Sequence, residues 1–303
     1  MASPEAEALK SAMVAMRENN PPGSVSLADR REGAKIMRIL ASEPAGVTET
    51  IVDAGGVNAM WVNPQPDASS RPDHVLMYFH GGGYIVGSAH AYGRFAGHLA
   101  NRIGCRVLNV DYRLAPEHRF PAQVEDTLAA YRWLLDQGYA PGNIGLAGDS
   151  AGGGLVVSTL LAIRDADLKQ PACAVPLSPW TDLTVSGDSM STNAEADKLV
   201  IPSSLSDTVA MFLGDASITE PLASPLHADL ASLAPMYVQV GADEVLLDDS
   251  LRLVEAVKAA GGTAEVEVFP EMQHSFQCSV GQIPEATAAT DKIASYVKEK
   301  FDA

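Results

Sequence analysis

The sequence predicts an α/β fold, with a mostly parallel central sheet, helices on both of its faces and a helical cap. Three observations point there. From Val75 onward, short apolar runs fit for strands alternate with helix-patterned stretches, the order that right-handed strand-helix-strand crossovers require. Within that alternation, Ile144-Gly145-Leu146-Ala147, the pentapeptide Gly148-Asp149-Ser150-Ala151-Gly152 and the run Leu155 to Ile163 read as strand, sharp turn and helix. Residues 1–45 and 183–222 fall outside the alternation, and an interval of the latter size is better read as inserted helix than as structureless loop. The expected organisation is residues 46–182 and 223–303 as one α/β domain, residues 183–222 as a cap segment inserted into it, and residues 1–45 as helices contributing to the cap.

A chain of 303 residues is long enough for one large α/β core, with or without a small subdomain. Its 47% hydrophobic and 19% charged residues give the balance of a soluble globular protein, not a disordered or fibrous one. The net charge of −17 argues against nucleic acid, whose phosphates are met by Lys and Arg, and against anionic membrane surfaces. Cys105, Cys173 and Cys278 are odd in number, far apart and without Cys-x-x-Cys spacing, which supports neither a disulfide framework nor a zinc site. The N-terminus lacks the basic and then apolar run of a signal peptide, and no stretch approaches about eighteen uninterrupted apolar residues. A cytoplasmic protein with reduced thiols, and without membrane or nucleic-acid partners, is expected.

Residues Pro4 to Arg17 place Leu9, Met13 and Met16 at helical spacing, and Leu27 to Leu40 do the same with Ile36, Met37 and Leu40. The breaker Asn19-Asn20-Pro21-Pro22-Gly23 separates them. Val47 to Val52 and Val57 to Val62 read as an antiparallel hairpin around Asp53-Ala54-Gly55-Gly56. Val75 to Phe79 is a continuous apolar run suited to a strand buried on both faces, and Cys105 to Val110 is another strand. Gln123 to Leu135 is helical, with Val124, Leu128, Tyr131 and Leu135 on one side. Cys173 to Leu177 and Met236 to Val240 are strands, Ser250 to Ala260 is a helix, Glu265 to Phe269 is the last strand, and Pro284 to Phe301 is the closing helix.

Gly148 to Gly152 is a G-x-S-x-G pattern in the strand-turn-helix context of a nucleophile elbow, where small neighbours permit the strained backbone that lifts Ser150 to a helix N-terminus. Taken alone it favours catalysis only modestly over a glycine-rich turn with an incidental serine. His80-Gly81-Gly82-Gly83 after a buried strand suits a loop that turns its N–H groups toward an anion or a developing oxyanion. No Gly-Lys-Ser/Thr ending marks it as a phosphate loop.

His80-Gly81-Gly82-Gly83, Asp111-Tyr112-Arg113-Leu114-Ala115-Pro116-Glu117, Gly148-Asp149-Ser150-Ala151-Gly152 and Ser178-Pro179-Trp180-Thr181-Asp182 together resemble the hormone-sensitive lipase family of α/β-hydrolases in identity, order and spacing. The resemblance runs from about Val75 to the C-terminus. It implies a serine carboxylesterase acting on short- to medium-chain esters through an acyl-enzyme, with no cofactor and no metal. It also implies a structural role for the Asp-Tyr-Arg segment and, by itself, a homodimer.

A serine hydroxyl needs a neutral imidazole to take its proton and a carboxylate to orient that imidazole. In α/β-hydrolases these follow in the order serine, acid, histidine. Five of the seven histidines precede Ser150 and His227 precedes the acidic loop, which leaves His274. The acid lies among Asp243, Glu244, Asp248 and Asp249. The family's Asp-Pro-Leu-x-Asp segment falls on Glu244-Val245-Leu246-Leu247-Asp248, which favours Glu244 although the family usually has aspartate there; Asp243, one residue away, is the alternative, and Asp248 becomes a structural carboxylate. These carboxylates also suit an acidic helix start, while no calcium-loop spacing supports a metal. The N–H groups of Gly82, Gly83 and Ala151 are the expected oxyanion hole. Asp149 is read as a polar residue stabilising the elbow. Tyr84, Trp180, Phe212 and Phe276 are read equally as pocket lining or as core. A lactonase or amidase would use the same triad. A non-catalytic small-molecule receptor on this fold is a further alternative, and the presence of His274 weighs against it, since receptors resembling this family lack the histidine.

Overall fold

The computed structural model describes residues 1–19 and 23–303, so residues 20–22, the middle of the expected breaker, lie outside the described residues. Eight strands form one sheet: β1 (Thr48–Asp53), β2 (Asn58–Asn63), β3 (Val75–Phe79), β4 (Arg106–Val110), β5 (Ile144–Asp149), β6 (Cys173–Leu177), β7 (Met236–Gly241) and β8 (Ala264–Phe269). Their order is β1-β2-β4-β3-β5-β6-β7-β8, with β1 antiparallel to β2, β2 antiparallel to β4, and parallel pairing from β4 to β8. The mostly parallel sheet is as the sequence predicts.

The buried strands feed two cores because successive side chains leave opposite faces. Val75, Met77 and Phe79 join Leu108 and Leu146 in one, and Leu76 and Tyr78 join Val107 and Val175 in the other. Helices cover both. Helix α1 (Pro4–Asn19), α2 (Leu27–Gly33) and α3 (Met37–Leu40) precede the sheet, followed by α4 (Gly93–Ile103), α5 (Ala122–Asp136), α6 (Ala151–Asp165), α7 (Ser189–Thr192), α8 (Pro202–Leu213), α9 (Leu247–Ala259) and α10 (Pro284–Phe301). Phe95, Leu99 and Ile103 of α4 and Ile293 and Val297 of α10 pack on one face, while α5, α6 and α9 supply Tyr131, Leu160 and Leu253 to the other.

Several elements differ from the sequence reading. Helix α4 was not anticipated, although Phe95, Leu99 and Ile103 repeat at helical spacing and Gly104 closes it in the left-handed conformation at φ 83°. The buried side of α5 runs through Val124, Thr127, Tyr131 and Leu134, leaving Leu128 and Leu135 only partly covered, a rotation of the expected face. Helix α9 begins at Leu247, three residues before the expected start, which brings Asp248 and Asp249 into its first turn, where free N–H groups favour carboxylates. The second N-terminal helix is interrupted by a 3₁₀ turn at Ala34–Ile36, and Ile36 and Met16 are exposed. Residues 183–222 contain no strand and hold α7 and α8. Among the described residues, no helix is long and apolar enough to cross a membrane.

Candidate active site

The parallel strands deliver their C-terminal ends to one edge of the sheet, and there the four sequence motifs meet. At the end of β5 the chain turns through Ser150 at φ 56° and ψ −121°, a conformation rare for a residue with a side chain. The turn is held by the Ser150 N–H donating to Leu177 O at 2.9 Å and by the Ser150 carbonyl accepting from Gly154 and Trp180 N–H, both at 3.0 Å. Helix α6 starts at Ala151, earlier than the expected Leu155, so the glycines behind the serine are helical. Close packing explains their identity: a Cβ on Gly152 would lie 2.0 Å from Phe79 O, and one on Gly154 would lie 2.1 Å from Trp180 O. Ser150 is partly exposed, whereas Ile144 to Asp149 and Ala151 to Ile163 are buried. The Ala151 N–H belongs to the first turn of α6, whose donors have no intrahelical partner.

The loop after β3 carries Gly82 at φ 113° and Gly83 at φ 61°, positions that glycine alone adopts at no cost. Asp149 ties this loop to the elbow. Its Oδ1 accepts from the Gly81 N–H at 2.8 Å and from the Tyr78 hydroxyl at 2.6 Å. Burial pushes the Asp149 carboxyl above its ordinary range. The Tyr112 hydroxyl donates to His80 O at 2.7 Å and its ring stacks on His80 at 4.3 Å, so the Asp-Tyr-Arg segment braces the glycine loop. His80 donates from Nδ1 to Gly81 O at 2.8 Å, and burial lowers its pKa.

Glu244 and His274 come together: Glu244 Oε2 lies 2.8 Å from His274 Nδ1, and both side chains are buried. Asp243 faces elsewhere, accepting from Lys10 Nζ at 2.7 Å and Gln273 Nε2 at 3.1 Å. Asp248 accepts from the Ser189 N–H at 2.8 Å. The other Glu244 oxygen, Oε1, accepts from the Ser178 hydroxyl and from the Gly241 N–H, each at 2.6 Å. Burial disfavours a charged His274, but the contacting Glu244 carboxylate, with Asp197 and Asp149 beyond it, outweighs burial and raises the pKa.

Two residues in this assembly escaped sequence reasoning. Ser178 sits at φ 44° with its Oγ accepting from the Ser275 N–H at 3.2 Å, so its proton points at Glu244. Its motif was visible, but no role could be attached to it. Asp197 is fully buried between α7 and α8, and nothing in its local sequence marks it. Tyr84, Phe212 and Trp180 form a buried stack, with ring centroids 3.9 Å apart for Tyr84–Phe212 and 6.3 Å for Tyr84–Trp180. Phe276 packs against Phe269 in a separate cluster with Ala6 of α1. Among the described residues no group of three His, Cys, Asp or Glu side chains could hold a metal ion.

Residues 76–278 match a family described by the α/β-hydrolase fold. An acetyl-hydrolase of Streptomyces hygroscopicus is 40% identical over 248 residues, covering 82% of each chain. The crystal structure of an esterase from the bacterial hormone-sensitive lipase family superposes with a TM-score of 0.94 at 41% identity over 99% of both chains. The structure of EstE5 soaked with p-nitrophenyl butyrate gives 0.92 at 40% identity over the whole of both chains.

Proposed function

Because the chain belongs to the hormone-sensitive-lipase-like esterases of the α/β-hydrolase family, we propose that it is a serine carboxylesterase for small carboxylic esters of short to medium acyl chain. Ser150 Oγ attacks the ester carbonyl while His274 Nε2 takes its proton. The N–H groups of Gly82, Gly83 and Ala151 receive the developing oxyanion, each such donor contributing on the order of a hundredfold to turnover. His274 then passes the proton to the departing alcohol, leaving the acyl group on Ser150. Water, deprotonated by His274, releases the acid in the second half. Glu244 holds the Nδ1–H tautomer throughout and offsets the imidazolium charge.

The observation that carries this reading is the buried 2.8 Å contact of Glu244 with His274, on the same sheet edge as a serine held at positive φ. A small acyl group is supported by the acetyl-hydrolase relative and the butyrate ester soaked into EstE5. Residues 1–45 and 183–222 act as the cap, supported by Arg17 Nη1 donating to Asp197 O at 3.2 Å. A cytoplasmic setting, supported by three free and buried cysteines, and a homodimer complete the proposal. The test is release of p-nitrophenol from acetate and butyrate esters by the purified chain. Ser150→Ala should reduce it to background, and normal hydrolysis by that variant refutes the assignment.

A further inference from the structure

Residues 193–198, between α7 and α8, touch the neighbours in sequence of both Glu244 and His274. On the acid side, Asn193 Nδ2 donates to Glu244 O at 2.8 Å and to Ala242 O at 3.0 Å. Asp197 Oδ2 accepts from the Val245 N–H at 3.0 Å, while its Oδ1 accepts from Leu199 N–H at 2.9 Å and Val200 N–H at 2.8 Å. On the histidine side, Gln273 Oε1 accepts from the Lys198 N–H at 2.7 Å and Gln273 Nε2 donates to Ala196 O at 3.2 Å. Apart from the two local bonds to Leu199 and Val200, these bonds join segments 48 to 77 residues apart, and the Asp197 carboxylate at their centre is fully buried.

We propose that residues 193–198 form a clasp that fixes the acid loop against the histidine loop, with Asp197 as its positioning residue. The inserted segment then assembles the Glu244–His274 pair in addition to covering it. A carboxylate suits the position because all three of its partners are N–H donors. An amide of the same shape would turn its own NH₂ toward one of them, leaving two donors face to face. The negative charge of Asp197 also favours a charged His274, as do those of the contacting Glu244 and of Asp149. The proposal rests on the triad reading above.

The test compares Asp197→Asn and Asn193→Ala with the unaltered chain, in steady-state hydrolysis of p-nitrophenyl butyrate across pH and in NMR titration of the His274 imidazole. Asp197→Asn should lower kcat about tenfold or more, with KM little changed, because a buried donor loses its acceptor. It should also move the His274 titration and the acidic limb of kcat/KM to lower pH by about half to one pH unit, because a negative charge that favours the imidazolium is gone. Asn193→Ala, which removes two bonds to the acid loop and no charge, should lower kcat about tenfold and leave the limb in place. It carries the test alone if Asp197→Asn does not fold. Unaltered kcat in the folded variants, with His274 titrating as before in Asp197→Asn, overturns the clasp. Failure of the triad reading registers separately, as full activity in Ser150→Ala, while the NMR titration of His274 still reports on Asp197 without any turnover.

Discussion

Replacing Glu244 by Gln tests which of two adjacent carboxylates serves His274. The Oε1 position of Glu244 faces two donors, Ser178 Oγ–H and Gly241 N–H, so the glutamine carbonyl oxygen is drawn there. Its NH₂ is then left against His274 Nδ1, at the site of the 2.8 Å contact, and selects the tautomer protonated on Nε2. That tautomer cannot accept the proton of Ser150. The expected loss is about 10⁴ in kcat, or about 5 kcal/mol of barrier. Removing the Glu244 charge also removes the strongest influence holding the His274 pKa up against burial. Because turnover needs neutral imidazole, the acidic limb of the residual activity moves to lower pH. Asp243→Asn should behave differently. Its ion pair with Lys10 joins side chains that are 21% and 24% exposed, a contact worth less than about 1 kcal/mol, and activity should stay within about threefold. Both variants are assayed by p-nitrophenyl butyrate hydrolysis, with thermal melting to confirm folding. If Asp243→Asn is the more damaging, or Glu244→Gln keeps a tenth of the activity, the assignment of the acid is wrong.

Two further predictions concern the frame around the site. Gly152→Ala places a methyl 2.0 Å from Phe79 O and 2.6 Å from His80 O, backbone atoms that cannot swing aside, and should destabilise the fold by about 3 kcal/mol or more in denaturant titration; near-normal stability would show that α6 can shift away from β3. Burial works against the Asp182 carboxylate, but hydrogen bonds from Ser186, Thr184, His227 and Arg252 outweigh it and hold its pKa well below the ordinary range. Its contribution is therefore present above the unfolded pKa of about 4 and is lost as pH falls below that value. Asp182→Asn should cost about 2–3 kcal/mol at neutral pH, discounted because Arg252 is one-third exposed, and should flatten the loss of stability on acidification. An acid-unfolding profile unchanged by the substitution would contradict this.

What could be read from the sequence follows the range of the forces involved. The strand Val75–Phe79 and the helix Pro284–Phe301 were legible to the residue because their signals are local: an unbroken apolar run, and a proline opening a periodic stretch. Ser150 and His274 stand out as candidates because the elbow needs glycines at fixed offsets and because the order of motifs leaves one histidine. The glycines of α6 misled in the opposite direction. The expected helix starts only at Leu155, after these glycines, yet each takes its place in α6 because a backbone or aromatic neighbour approaches too closely for a methyl, so helix formation there is imposed by packing. Local signals do not separate Asp243 from Glu244, and only the motif resemblance favours Glu244, the residue that meets His274. Consecutive side chains leave the backbone in different directions, and which one meets His274 depends on Lys10, 233 residues from Asp243, and on Ser178, 66 residues from Glu244. The same holds for Asp197, whose partner Val245 is 48 residues away. A buried carboxylate is costly unless donors surround it. Asp197 is tolerated because the acid loop and the segment after it both turn N–H groups toward it, so its role follows from two loops meeting and not from the residues beside it.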